Sequence, residues 1–147
     1  MTLSRHRDGA VVPHQGVGSI HFGMHESDLT KLLGAARRSE RTPEGDRWLA
    51  YDGIDLHLAA DEGFRLTSIE LSAPSASTIA GEVWLGMPDP DWLRLLTGLG
   101  IRVRRVRRVA DEIEWESDDH TLSVYSVGER AVSMMLCVAR DGRGDPI

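Results

Sequence analysis

Residues 19–24 read SIHFGM and run into HESDLTKLLG (25–34); residues 82–87 read EVWLGM and run into PDPDWLRLLTGLG (88–100). A shift of 63 positions pairs Ile20 with Val83, Phe22 with Leu85, Gly23 with Gly86, Met24 with Met87 and Asp28 with Asp91. The same shift pairs Leu29 with Trp92, Leu32 with Leu95 and Leu33 with Leu96, so it keeps both the opening phrase and the apolar stripe that follows. Agreement over a strand and a helix together predicts an internal repeat, and two copies are too few for a solenoid.

Each copy predicts a short helix and then four strands. In the first, Met24, Leu29, Leu32 and Leu33 have helical spacing, Ser27 or His25 caps the start and Gly34 ends the pattern. Turns at PEGD, DG and DEG then separate RRSERT, RWLAY, IDLHLAA and FRLTSIELSA, whose alternation is that of antiparallel strands. In the second, Pro88 and Asp89 open a helix that Gly98 and Gly100 stop, and IRVRRVRRV, EIEWES, TLSVYSV and AVSMMLCVAR follow. The expected class is α+β: two tandem modules of one helix plus a four-stranded antiparallel sheet, forming one extended sheet with the helices on one face. The small, polar, proline-containing stretch SAPSAST (72–78) supplies the break. The expected divisions are a tail (1–15), module 1 (16–73), a linker (74–80), module 2 (81–140) and a second tail (141–147).

This pattern of GxxxFGM phrase, short helix, four-stranded meander and tandem copy resembles the β-lactamase inhibitor protein family, whose module is similar to that of small outer-membrane assembly lipoproteins. The likeness spans roughly residues 16–140. It implies two modules joined in one long curved sheet whose concave face grips an enzyme. The chain departs from that family in lacking cysteine pairs and a secretion signal, and it carries no lipidated N-terminal cysteine.

Composition narrows the function classes. With 17 basic against 23 acidic residues the net charge is −6, which disfavours general phosphate-backbone binding and favours a basic partner. One cysteine, Cys137, forms no internal disulfide, and no signal peptide or run of apolar residues long enough to span a membrane is present. The expectation is a cytoplasmic protein that binds neither nucleic acid nor membrane.

No pattern supplies catalysis or a cofactor. His14, His21 and His25 lie in a loop, a strand and a helix start, without ligand spacing; GVG (16–18) lacks the third glycine of a dinucleotide fingerprint. No GxSxG elbow occurs, and Cys137 falls inside the apolar strand SMMLCVA. The chain is therefore read as a non-enzyme with no metal and no cofactor. In IRVRRVRRV (101–109) the valines are three apart, so a bulge near Arg104 and Arg105 is needed to restore alternation. Cross-strand pairing with the acidic strand DEIEWE accounts for those arginines.

Alternation also proposes a binding face. If Ile54, Leu56, Leu58, Ile113, Trp115, Leu122 and Val124 point to the core, then Asp55, His57, Glu112, Glu114, Glu116 and Tyr125 point the other way. The expected function is an immunity-type inhibitor that holds a basic toxin or enzyme on this acidic patch, with Tyr125 as apolar anchor. The alternatives are a small-molecule binding or enzymatic domain using His57, Tyr125 or Glu114, and a scaffold subunit of a larger complex.

Overall fold

A computed structural model of the chain describes residues 6–138. Three short strands come first: β1 (Val11–Val12), β2 (Gly16–Val17) and β3 (Ile20–His21). Helix α1 (Glu26–Leu33) leads to β4 (Arg38–Arg41), β5 (Arg47–Tyr51), β6 (Ile54–Ala59) and β7 (Arg65–Ser72). After β8 (Thr78–Ile79) and β9 (Glu82–Val83), helix α2 (Asp89–Gly98) leads to β10 (Val103–Val109), β11 (Glu112–Ser117), β12 (Leu122–Val127) and β13 (Arg130–Cys137). The eight longer strands form one antiparallel sheet in the order β10-β11-β12-β13-β7-β6-β5-β4. The junction of its halves is β13 against β7, with Met135 opposite Glu70 and Leu136 opposite Ile69.

The two opening phrases seat on this sheet alike. Gly23 donates its N–H to Leu66 O at 2.9 Å and Leu66 N–H returns to Met24 O at 2.8 Å; Gly86 donates to Ala131 O at 2.8 Å and Ala131 N–H returns to Met87 O at 3.0 Å. Both glycines have positive φ, 91° and 80°, which an L-residue adopts only with strain.

The expected α+β arrangement, with tandem modules whose helices make one face, is corrected by what lies above the sheet. The chain is mainly β, and the two complete helices among the described residues are only eight and ten residues long. Helix α1 buries Leu29 and Leu33 and α2 buries Trp92 and Leu96 beside Asp89; two such stripes cannot cover eight strands. The rest of the cover comes from Val11, Val17, Ile20 and Ile79 in two-residue strands and from Trp84 just after β9, all buried. The core is thus a sheet capped by irregular segments with two short helices set among them. Leu56, Leu58, Ile69, Leu71, Val124, Met134 and Leu136 are its sheet side, each almost fully buried.

The segment expected as a linker is part of this cap. Ser75 Oγ donates to Arg7 O at 2.8 Å, and Trp84 Nε1 donates to Ser77 Oγ at 2.9 Å. Residues 6–15 of the expected first tail also pack, with Val11 buried and Ala10 bridged to Thr78. The expected second tail (141–147) lies outside the described residues.

Candidate functional site

The face of the sheet turned away from the cap is crossed by one row of paired residues. Following the register from edge to edge gives Arg38, Ala50, Asp55, Glu70, Met135, Ser123, Glu116 and Arg104. A second row runs Ser72, Ser133, Tyr125, Glu114 and Arg107. A third runs Glu40, Trp48, His57, Ser68 and Cys137. With strands about 4.8 Å apart, eight of them make a surface about 34 Å wide. The rows alternate with buried Ile54, Leu56, Leu71, Val124 and Met134, which is why every one of these side chains faces outward together.

All six residues of the expected patch lie on this face, in two groups. Tyr125 donates its hydroxyl to Glu112 Oε1, and Glu114 stands directly opposite Tyr125. The hydrogen bond to Glu112, then burial and the charges of Glu112 and Asp111, push the Tyr125 hydroxyl above its ordinary value. Asp55 and His57 sit on β6, four strand spacings or about 19 Å from β11. His57 is held on both sides: its ring stacks on Trp48 with centroids 4.8 Å apart, and its Nε2 is 3.0 Å from Asp46 Oδ2. Asp46 is lowered chiefly by the N–H of Ala60, which donates to its Oδ1 at 2.8 Å, and further by His57. His57 and Tyr125 therefore do not meet in one pocket.

Three shallow hollows pit the face. One of about 260 Å³ is lined by Glu70, Glu114, Ser123, Tyr125, Ser133 and Met135. One of about 170 Å³ lies among Arg107, Val109, Glu112, Glu114 and Tyr125, and one of about 90 Å³ among Arg38, Glu40, Trp48, Ala50 and Asp55.

Glu70 is the residue the sequence reading passed over, and it occupies the middle of the sheet. It stands opposite Asp55 on one side and Met135 on the other. Among the described residues no hydrogen bond or salt bridge engages either carboxylate. Burial raises both above the ordinary carboxylate range, and the Asp55 charge raises Glu70 further; Arg38 lowers Asp55 in part and Glu40 raises it. Two like charges opposed across a ladder oppose folding. The signal was available, since Glu70 lies between Ile69 and Leu71 in the same alternation that placed Asp55.

The other sequence features are structural. Trp84 and Trp92 are fully buried, as expected, and Tyr51 is a core residue whose hydroxyl donates to Gly34 O at 2.9 Å. No group of three or more histidine, cysteine, aspartate or glutamate side chains among the described residues is placed to hold a metal. No helix among them is long and apolar enough to cross a membrane.

No known protein family matches the chain. Comparison with curated proteins likewise gives no match. Among solved structures, an extracellular protein containing a SCP domain from Bacillus anthracis str. Ames is similar, with a TM-score of 0.52 and 10% sequence identity over 78% of this chain. The chain spans 43% of that protein. At that identity the likeness concerns the fold alone.

Proposed function

We propose that this chain is a protein-binding inhibitor of the immunity type, which holds a basic protein partner on the cap-free face of its sheet. The observation that carries the reading is the Asp55–Glu70 pair. Two partly buried carboxylates face each other at the centre of the sheet, with no cation or donor among the described residues bound to them. Folding gains nothing from this arrangement. A guanidinium or ammonium group presented by a partner neutralises both charges at once, and in a partly desolvated setting such pairing is strong.

The form of the surface supports a macromolecule over a small ligand. Its hollows are shallow, spread across several strands and each sized for a side chain. A standard protein interface needs about 800 Å² per partner, which a face of this width supplies. Tyr125, 36% exposed beside Glu112 and Glu114, offers an apolar anchor within the acidic field. Arg38, ion-paired with Glu40 at 2.9 Å, and Arg104, opposite Glu116, close the ends of the central row.

The test uses a partner captured on the immobilised chain and then purified. Glu114→Arg and Glu116→Arg are expected to slow its association and weaken the salt dependence, and Tyr125→Ala to speed dissociation mainly. Kinetics unchanged in all three variants, each with its melting temperature intact, would remove this face from consideration.

A further inference from the structure

A second site lies on the opposite side of the sheet, where helix α2 begins. A cleft of about 510 Å³ opens between Pro88, Pro90 and Leu93 of the helix and the β10–β11 edge. Its apolar wall is Ile113 and Trp115, and Trp115 packs edge-on against buried Trp92 with centroids 5.4 Å apart. The volume falls within the range of small-molecule sites, about 300–1,000 Å³.

Strand β10 determines what this cleft can recognise. Its register slips between Arg105 and Arg107, leaving Val106 outside the ladder. As a result Arg104 and Arg107 stand opposite Glu116 and Glu114 on the open face, while Arg105 and Arg108 stand opposite Trp115 and Ile113 on the cleft side. A bulge of this kind re-aims side chains, and here it sets two of four arginines opposite glutamates and two opposite apolar residues. Val106 and Val109 are left 42% and 52% exposed, so apolar burial does not explain the slip.

The charged groups around the cleft can be assigned one at a time. Arg105 has its guanidinium carbon 5.8 Å from the centroid of the Trp115 ring and, among the described residues, no salt bridge. Arg108 donates Nε to Ala110 O at 3.2 Å, and among the described residues nothing engages its terminal nitrogens. Arg130 is occupied with Gly86 O at 2.9 Å. Asp89 is buried and accepts from Trp92 Nε1 at 2.8 Å and Ser126 Oγ at 3.2 Å, so its charge is directed inward. Glu129 is exposed beside the turn that leads into β13.

We infer that this cleft binds a small organic anion with a flat apolar body, its carboxylate held by Arg105 and Arg108 and its body laid against Trp115, Ile113 and Leu93. The guanidinium fork matches a planar carboxylate bidentately, and Arg105 is already oriented by the indole beneath it. The site is independent of the acidic face, since its ligand has the opposite charge and reaches the opposite side of the sheet.

The probes are 2-naphthoate, its neutral amide and inorganic phosphate, titrated into the full chain while the Trp115 indole N–H is followed by NMR. Naphthoate is expected to shift that resonance saturably with a Kd of about 1 mM or tighter. The amide is expected to bind roughly tenfold more weakly, and Arg105→Gln and Arg108→Gln each to weaken naphthoate roughly tenfold. Both arginines are exposed, so the variants fold; unchanged melting temperatures check this, and Lys31→Gln is the distant control with unchanged affinity. Absence of a saturable shift at Trp115, equal affinity for acid and amide, phosphate binding as tight as naphthoate, or folded arginine variants with undiminished affinity would each overturn the assignment. None of these results bears on the acidic face.

Discussion

Replacing Glu70 by Gln is expected to make the protein more stable at neutral pH, contrary to the usual effect of substitution inside a sheet. Glu70 accepts no hydrogen bond from the described residues, so the change removes a charge and breaks no donor–acceptor pair. Its neighbour across the ladder is Asp55, and a like-charge pair directly opposite costs roughly 0.5–1 kcal/mol. For a chain of this size that corresponds to a rise in melting temperature of about 2–3 °C. Both carboxylates have raised values in the folded state, so the native protein binds their protons more tightly than the unfolded chain does. Stability then falls as pH rises from the ordinary carboxylate range, about 4, through the raised values. The gain from Glu70→Gln should accordingly be full at pH 7 and vanish below about pH 3, where both groups are protonated in either state. Thermal unfolding followed by circular dichroism at both pH values, with Asp55→Asn and the double variant completing a cycle, isolates the coupling between the two charges. A lower melting temperature for Glu70→Gln at pH 7, or a gain of equal size at both pH values, would refute the reasoning.

Three further outcomes test the cap and its junctions. Trp84→Ala empties a fully buried position and strips Ser77 of its indole donor; a loss of about 3–5 kcal/mol in denaturant unfolding is expected. Gly16→Ala should cost at least about 2 kcal/mol, because a Cβ at φ +147° would lie 1.9 Å from Ile20 O; a melting temperature within error of wild type would contradict the placement of β2. At Asp119 burial favours the protonated form, but hydrogen bonds from Thr121, Ser117 and His14 outweigh it and hold the carboxyl well below the usual range. Its contribution is present above the unfolded value of about 4 and is lost as pH falls, so Asp119→Ala should flatten the acid limb of a stability–pH curve and His14→Ala should flatten it less.

Sheet positions were legible because alternation is a local property. Ile54, Leu56 and Leu58 are buried while Asp55 and His57 between them face the other way, and the same rule applied to FRLTSIELSA exposes Glu70. The cap was not legible, for two reasons. Its strands, among them Val11–Val12, Gly16–Val17 and Thr78–Ile79, are two residues long, too short for any period to show, so the cover was assigned to the two segments with helical spacing. Its polar contacts also join residues remote in sequence. Ser75 looks like linker material until Arg7 O, 68 positions earlier, is brought to its hydroxyl. Composition registers what a segment is made of and carries no record of the partner that makes burying it favourable.

The arginines of β10 show where a sound local argument stops short. Opposite charges on neighbouring strands do account for Arg104 and Arg107, which stand opposite Glu116 and Glu114. The expected bulge exists, displaced to the step between Arg105 and Arg107. The same displacement leaves Arg105 and Arg108 facing a cleft walled by Trp115, Ile113 and the start of α2, because Glu114 and Glu116 alternate with Ile113 and Trp115 and so cannot serve both faces. Charge pairing read along a strand counts five arginines against several carboxylates and finds them balanced. The pleat divides that count by face, and the remainder on the capped side is two cations, Arg105 over the Trp115 ring and Arg108 opposite Ile113.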